Sequence, residues 1–231
     1  MPAMVSRQNR DMDARDAFRE TLRTMVGPAL RRQGFLGSGS TWRRRNPHGD
    51  WAVVNVQKSA WGDREAVSAY VNLAIVPEAV RRFTASTTAR PLPRQPTEWH
   101  GVWRARLDPL PTDHRWGRDW DFGDGTRADD FGSALVDRLD SYGVPVLERL
   151  LDRDRFLSML RDPMREKLEL GRVTTWSADS MAALIMSDDG PGRDLDGLLE
   201  KLRTDAAKAA DPEWGARVLD VVGWIEARLA S

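Results

Sequence analysis

The chain has 231 residues, no cysteine and a formal net charge of zero, with 35 Lys and Arg residues against 35 Asp and Glu residues. This length suits one large domain or two small ones, and folding then buries roughly 70% of the unfolded chain's surface without help from a metal or a disulfide. The absence of cysteine excludes disulfides, thiolate nucleophiles and iron–sulfur clusters, and it suits a reducing cytoplasm. No segment approaches the roughly 20 apolar residues that span a bilayer, and no secretory signal is recognisable. We therefore expect a cytoplasmic protein without a membrane contact.

The charges are distributed unevenly along the chain. Residues 1–106 hold 18 Lys and Arg residues and 9 Asp and Glu residues, whereas the remainder holds 17 and 26. Two oppositely charged parts that pack together explain this pattern, and so does a basic face that attracts an anionic partner. Nearly all of the basic residues are arginines, a bias that also follows genomic base composition, so the asymmetry alone identifies no ligand.

An amphipathic helix opens the patterned part of the chain. Apolar residues recur at steps of three and four between Asp13 and Arg32, which predicts one buried helical face. Pro28 lies within this stretch and lacks an amide hydrogen, so it predicts a kink or a restart. Gly34 then ends the helix as a cap. Residues 1–12 are polar and unpatterned, and we expect a disordered tail there.

Four alternating segments separated by turn residues follow the helix and predict β-strands. They are STWRRR (residues 40–45), WAVVNVQKS (51–59), VSAYVNLAIV (67–76) and GVWRARL (101–107). Their succession predicts an antiparallel meander with one apolar face, which the first helix would cover. Residues 84–98 are a loop by composition.

From Gly125 onward the pattern predicts helices only. Phe131, Leu135, Leu139 and Tyr142 form a helical stripe that Gly143 and Pro145 are expected to break. Three further helices are predicted at 177–186, 195–209 and 212–229, the last with Asp211 as its N-cap. The predicted fold class is α+β, an amphipathic helix packed on a twisted antiparallel sheet of about four strands and followed by an all-helical C-terminal half. The predicted domains are an α+β domain at 13–161 and a helical extension at 162–231.

The polar faces of the predicted strands collect the candidate binding residues. Alternate residues of a strand point to opposite sides, so amides, hydroxyls and arginines gather on one face of the sheet. Such a face has many donors and few carboxylates, which suits an anion or an extended polar partner. A face that is covered only by water is the competing interpretation. The candidates are Arg43, Asn55, Gln57, Ser59, Tyr70, Asn72, Arg104 and Arg106.

Tryptophans form the densest aromatic group of the chain between residues 99 and 120. The four are Trp99, Trp103, Trp116 and Trp120, and arginines lie between them. Because each indole buries a large area, packing in the core is the favoured role. The same residues can also receive a partner's side chains or stack on bases, and Trp103 and Trp116 are the candidates for such a contact.

The patterns of common enzyme and metal sites are absent from the sequence. His48, His100 and His114 are far apart, and none has the spacing of metal ligands. No nucleophile elbow, phosphate loop or dinucleotide fingerprint is present. The aspartates of DWDFGDG, residues 119–125, form neither a kinase site nor a calcium loop, and we expect them to cap the following helix. We therefore expect no catalytic residue, no metal and no cofactor.

Several of these segments together resemble a bacterial protein family. RRQGF at the end of the first helix, TWRRR, VNVQKS, AYVNLAI and WRARL in the strands, and HRWGRDW after them are similar to the family called domain of unknown function 4304, over roughly residues 14–160. The resemblance implies an α+β domain with a helix-covered antiparallel sheet, and it implies no established activity. Gln57, Lys58, Ser59 and Asn72 are matched positions. Amides on adjacent strands can also bind one another, which would make them structural.

These observations predict a non-enzymatic binding or interaction module that presents its polar sheet face to a protein partner or an anionic ligand. A role in immunity against a toxin or in defence against phage would fit a family of small, scattered proteins. The alternative is an enzyme or binder that acts on a phosphorylated or nucleic-acid ligand through its arginines, for which Glu98 is the only candidate base in the 84–98 loop. Plain nucleic-acid binding is a third and less favoured interpretation. The oligomeric state does not follow from the sequence.

Overall fold

A computed structural model describes residues 13–59, 66–88, 91–110, 119–123, 128–162, 171–173 and 177–231. The chain forms two compact units. Unit 1 contains Met1–Arg43, Val54–Asn72 and Arg106–Pro145, and unit 2 contains Arg44–Val53, Leu73–Ala105 and Val146–Ser231. The tail predicted at residues 1–12 lies outside the described residues.

The helices agree with the predicted ones to within a few residues, which is the usual uncertainty of helix ends. They are α1 (Ala14–Thr21), α2 (Gly27–Arg32), α3 (Glu78–Thr87), α4 (Ala128–Arg138), α5 (Val144–Leu151), α6 (Arg153–Arg161), α7 (Ala178–Met186), α8 (Arg193–Ala207) and α9 (Pro212–Leu229). Asp211 caps α9 as predicted, since its side chain accepts from the backbone N–H of Glu213. The predicted loop at 84–98 begins later than expected, because α3 continues to Thr87.

A π-helical turn precedes each proline that was expected to disturb a helix. Leu22–Val26 joins α1 to α2 ahead of Pro28, and Leu139–Gly143 joins α4 to α5 ahead of Pro145. In each case the residue after the turn donates its backbone N–H to the first carbonyl of the turn, five residues back. The extra residue accommodates the proline without ending the helix. The disturbances predicted at Pro28 and at Gly143 and Pro145 therefore both take the form of a π turn between two helical pieces, and neither ends the helix.

One antiparallel sheet contains the four predicted strands and three short additional ones. The strands are β1 (Leu36–Ser38), β2 (Thr41–Arg45), β3 (Trp51–Lys58), β4 (Ala66–Val76), β5 (Trp103–Arg106), β6 (Trp120–Gly123) and β7 (Gly171–Val173). Their order is β1-β2-β3-β4-β5-β7, and β6 pairs with β4. The predicted meander is confirmed. Strands β1, β6 and β7 were missed because three or four residues are too short to show alternation, and β7 falls in the part predicted as all helical.

Aromatic side chains form much of the core of unit 1. The ring of Phe131 on α4 lies 5.6 Å from that of Phe18 on α1 and 5.2 Å from that of Phe122 on β6, measured between centroids. Trp120 on β6 also contacts Phe131, and its indole N–H donates to the carbonyl of Leu107 at 2.7 Å. Helix α1 therefore packs against the sheet, as its amphipathic pattern predicts.

Unit 2 is built around helix α7. Residues 181–185 of this helix are all buried, and α7 packs against α3, α6, α8 and α9. A helix with apolar residues on all sides is expected in such a central position. A further cluster of Val53, Ala74 and Val76 is buried beside Trp51, although alternation along β3 and β4 places these residues on the side predicted to be polar. The polar face is therefore polar over only part of each strand.

Candidate functional site

A row of polar residues crosses four strands of unit 1. Three backbone hydrogen bonds set the register, from Val56 N–H to Ser40 O (2.8 Å), from Ser59 N–H to Ser68 O (2.7 Å) and from Leu107 N–H to Val71 O (2.8 Å). In an antiparallel ladder, each step along one strand is a step backward along its partner. Counting from these bonds places Thr41 opposite Asn55, Asn55 opposite Asn72, and Asn72 opposite Arg106. We call these four residues the polar row.

The amides of the row are bonded to one another. The Asn72 Nδ2 group donates to Asn55 Oδ1 and to Gln57 Oε1, both at 3.3 Å. The Asn55 Nδ2 group donates in turn to Thr41 Oγ1 at 2.9 Å and to the Ser40 carbonyl at 3.4 Å. Because both hydrogens of each asparagine amide are used, the orientation of each side chain is set by its neighbours. The cross-strand ladder that the sequence allowed is present, with Asn72 buried at its centre.

Arg106 and Tyr70 form a stacked pair beside this ladder. The guanidinium carbon of Arg106 lies 4.0 Å from the centroid of the Tyr70 ring. Stacking of this kind uses the flat face of the guanidinium and leaves its N–H edge open. Arg106 is exposed and has no carboxylate partner among the described residues. The side of Tyr70 away from β5 faces Gln57, which the register places directly opposite on β3.

Arg43 and Ser59 occupy the ends of this region of unit 1. Arg43 lies opposite Leu36 on β1, and alternation along β2 places it on the same side as Thr41. Ser59 follows the end of β3 and is buried, so its side chain is not part of an open surface. Alternation along β3 places Lys58 on the other side from Gln57.

Two predicted site residues lie on β5 in unit 2. The side chain of Trp103 is fully buried, so the hypothesis that it contacts a partner fails and packing is its role. Arg104 lies 4.3 Å from the centroid of the Trp99 ring, which is 68% exposed. The structure thus pairs Arg104 with an indole, as it pairs Arg106 with a phenol in unit 1. Trp116, the remaining candidate, lies outside the described residues, as does His114.

One aspartate of DWDFGDG has a different role from the predicted one, and Asp124 lies outside the described residues. Asp121 lies within β6 opposite Ser68, and the hydroxyl of Ser68 donates to its Oδ1 at 2.5 Å. It therefore supports the pairing of β4 with β6, and its predicted role as a helix cap is wrong.

Sequence reasoning missed a buried ionic cluster in unit 2. Arg153 donates from Nε to Asp50 Oδ2 and from Nη2 to Asp50 Oδ1, both at 3.2 Å, and from Nη2 to Asp188 Oδ2 at 3.1 Å. Asp188 also forms ion pairs with Arg82 of α3 and Arg228 of α9. Burial would lower the pKa of Arg153, but the hydrogen bond and charge of Asp50, followed by those of Asp188, raise it above its usual value. Arg153 therefore stays protonated, and the cluster joins several elements of unit 2.

Asp50 also substitutes for a missing helix cap. Pro77 precedes α3 and has no side chain that can accept a hydrogen bond. Asp50 Oδ1 instead accepts from the backbone N–H of Glu78 at 2.9 Å. One sequence signal could have pointed to the cluster, because an arginine at the first position of a helix, such as Arg153 in α6, opposes the helix dipole.

The described residues contain no group of three or more metal-ligating side chains. The backbone N–H of Thr97 donates to His100 Nδ1 at 3.0 Å, so this histidine caps a short turn. Glu98, the base that the enzymatic alternative required, is buried in the same turn. Within the described part of the chain, no helix has the length and apolar character needed to cross a membrane.

The fold and surface define an α+β protein with a helix-covered antiparallel meander and a polar row that is buried at Asn72 and exposed at Arg106. A family model described as "Domain of unknown function (DUF4304)" matches residues 26–149. The chain belongs to this family, as the strand motifs implied. No curated protein and no solved structure matches the chain.

Proposed function

We propose that this protein is a non-enzymatic binding protein and that the polar row, together with Gln57 and Tyr70, receives a protein partner. The observation that carries the proposal is the combination of a pre-ordered amide ladder with an exposed Arg106 that stacks on Tyr70 and has no carboxylate partner among the described residues. Side chains that neighbours already hold in place lose little conformational entropy on binding. Arg106 and Gln57 are exposed and offer N–H donors that lack acceptors among the described residues.

The chemistry of the row favours binding over catalysis. Thr41, Asn55, Asn72 and Arg106 include neither a carboxylate nor an imidazole, so the row has no general base. Neutral amides and one guanidinium are instead suited to orienting a polar partner, as in the rims and anchors of protein interfaces. Immunity against a toxin or defence against phage is one use to which a cell could put such a surface, with the toxin or phage protein as the partner.

The second candidate is a binder of phosphorylated or nucleic-acid ligands, and it is favoured by the exposed Arg106, to which the described residues offer no carboxylate. Such a ligand would be held mainly through its phosphates. Its affinity would then fall steeply as the salt concentration rises from 50 to 200 mM, by roughly a thousand-fold or more if about six phosphates are contacted. A protein partner that is held through amide contacts would show a much weaker dependence.

The experiment is capture of partners from an extract of the natural source, followed by affinity measurement with each purified partner. The variants are Gln57→Ala and Arg106→Ala, and Arg155→Ala is the control because Arg155 is an exposed arginine of α6 in unit 2. Loss of a hydrogen bond to a charged group is worth about 1.5–3 kcal/mol, so Arg106→Ala should weaken binding about 10- to 100-fold with an unchanged melting temperature. If a variant that combines Gln57→Ala with Arg106→Ala binds the partner as tightly as the wild type and the control, the proposal is wrong.

A further inference from the structure

We infer that the partner presents a carboxylate to this surface and that Arg106 and Gln57 bind it beside the ring of Tyr70. This inference rests on the proposed function, because it names the chemical group that the polar row receives. It is carried by the geometry of three residues on β3, β4 and β5 and by the count of donors and acceptors around them.

Arg106 and Gln57 flank Tyr70 from its two neighbouring strands. The register places Gln57 directly opposite Tyr70, and Arg106 reaches the ring from β5 with its guanidinium carbon 4.0 Å from the ring centroid. Neighbouring strands lie about 4.8 Å apart. Because Arg106 lies opposite Asn72 and not opposite Tyr70, the backbones of Gln57 and Arg106 are two strands apart and offset by two residues, a distance of about 12 Å. The Arg106 side chain reaches back so that its guanidinium lies over Tyr70.

The hydrogen bonds already made determine which groups remain open. Gln57 Oε1 accepts from Asn72 Nδ2, so the Nε2 group of Gln57 is directed away from the ladder. Nε2 has no acceptor among the described residues, and Arg106 has none either. The open groups on either side of Tyr70 are thus N–H donors, and a ligand that fits them must supply acceptor oxygens.

The charge of the site favours a carboxylate over a phosphate. Arg43, a described arginine that alternation places on the same side of unit 1, already has contacts of its own. Arg106 therefore contributes one positive charge, and the amides add donors without charge. The carboxylate of Asp121 lies on the same side and accepts from the Ser68 hydroxyl, so it adds one negative charge near the site. A carboxylate carries one negative charge and two oxygens that match the planar fork of a guanidinium. A phosphate monoester carries about −1.5 to −2 at neutral pH, and a nucleic-acid strand needs several cations along its path.

The test uses sodium acetate, inorganic phosphate and sodium chloride as probes at matched ionic strength, with the full chain labelled for NMR. We expect acetate to shift the Arg106 Nε–H and Gln57 Nε2–H signals together in a saturable manner, while chloride leaves them unchanged. The Arg155 Nε–H signal, which belongs to an exposed arginine outside the row, should respond equally and weakly to all three salts. Saturation by phosphate at a concentration several-fold lower than acetate would overturn the assignment of a carboxylate, and so would an acetate response no larger than that to chloride.

Gln57→Glu provides a second, independent test. This substitution places a carboxylate of nearly the same shape beside Arg106, so the site is filled from within the chain. The acetate response should disappear, and partner affinity should fall at least 10-fold while the fold persists. Retained acetate binding in this variant would overturn the inference.

The outcomes separate this inference from the function on which it rests. If partner capture depends on Arg106 and Gln57 but acetate shifts no signal, the proposed function stands. The inference that the partner presents a carboxylate is then wrong. Acetate binding with capture that is indifferent to Arg106→Ala overturns the proposed function and leaves a site for free carboxylates.

Discussion

Asp50 and Arg153 are joined by two parallel hydrogen bonds of 3.2 Å, although 103 residues separate them in the chain. Their side chains are only 7% and 6% exposed. A buried ion pair repays the cost of removing its charges from water only when both partners are well satisfied. Asp50 meets this condition through Arg153, Asn46 and the backbone N–H of Glu78.

Replacing Arg153 by alanine should strongly destabilise the protein. The change leaves the buried carboxylate of Asp50 without its cation, whereas Asp188 keeps Arg82 and Arg228, and the expected loss is about 3–5 kcal/mol in the free energy of unfolding. Chemical denaturation measures it. Arg155→Ala on the same helix is the control, since Arg155 is exposed and a change there should stay within about 0.5 kcal/mol. Similar values for the two variants would mean that the cluster contributes little to stability.

Asn72 and Gln57 belong to the same amide ladder, but their replacement should change the free energy of unfolding by different amounts. Asn72→Ala removes the donor to both Asn55 Oδ1 and Gln57 Oε1 at a buried position, so we expect a loss of about 1–3 kcal/mol in unfolding free energy. Gln57→Ala changes an exposed side chain and should cost less than about 0.5 kcal/mol. Denaturation curves of the two variants provide the comparison. An equal effect would contradict the burial of the row at Asn72.

Gly101 should not tolerate a side chain. A Cβ at this position would lie 2.8 Å from Ala74 Cβ and 2.9 Å from the carbonyl oxygen of Trp103. Because backbone must move to relieve the second contact, Gly101→Ala should cost about 1–3 kcal/mol. Gly223→Ala in α9 is the matched control, since its added methyl meets nothing within 4 Å and alanine favours a helix by about 1 kcal/mol. In thermal denaturation, we expect Gly101→Ala to lower the melting temperature and Gly223→Ala to raise it. A change in the same direction for both variants would refute the close packing at Gly101.

Lys201 should titrate above its usual pKa of 10.5. Its ammonium donates to Asp179 Oδ2 and to Asp205 Oδ2, both at 2.7 Å, and these two hydrogen bonds raise the pKa of Lys201. A raised folded-state pKa means that the stabilisation is fully present below 10.5 and is lost as the pH rises through the folded value. NMR titration of the Lys201 side chain measures the midpoint, and Asp179→Asn should lower it. No downward change in that variant would show that Asp179 does not hold the ammonium.

Local patterns in the sequence were sufficient to predict the long helices and strands. The alternation in WAVVNVQKS and VSAYVNLAIV predicted β3 and β4, and the step of three and four residues predicted α1 and α9, because these periods are imposed by one buried face. The short strands could not be predicted from such periods. Trp120–Gly123 contains only four residues, and Asp121 looked like a helix cap although it pairs with Ser68 in β6.

The candidate surface was predictable in part for the same reason. Alternation correctly placed Asn55 and Gln57 on one side of β3 and Tyr70 and Asn72 on one side of β4. It could not show that Trp103 and Ser59 are buried, because burial depends on which segments cover a strand. Nor could it show that the polar side becomes apolar at Val53 and Ala74.

The sequence by itself determined the class of protein, the main helices and strands and the side of each strand that carries amides, because these follow from residues close together in the chain. Only the tertiary structure decided that Asn72 bridges Asn55 and Gln57, that Arg106 lies on Tyr70, and that Arg153 joins Asp50 to Asp188. The physical reason is that strand register and helix docking are set by the summed packing of distant segments, which no local period encodes.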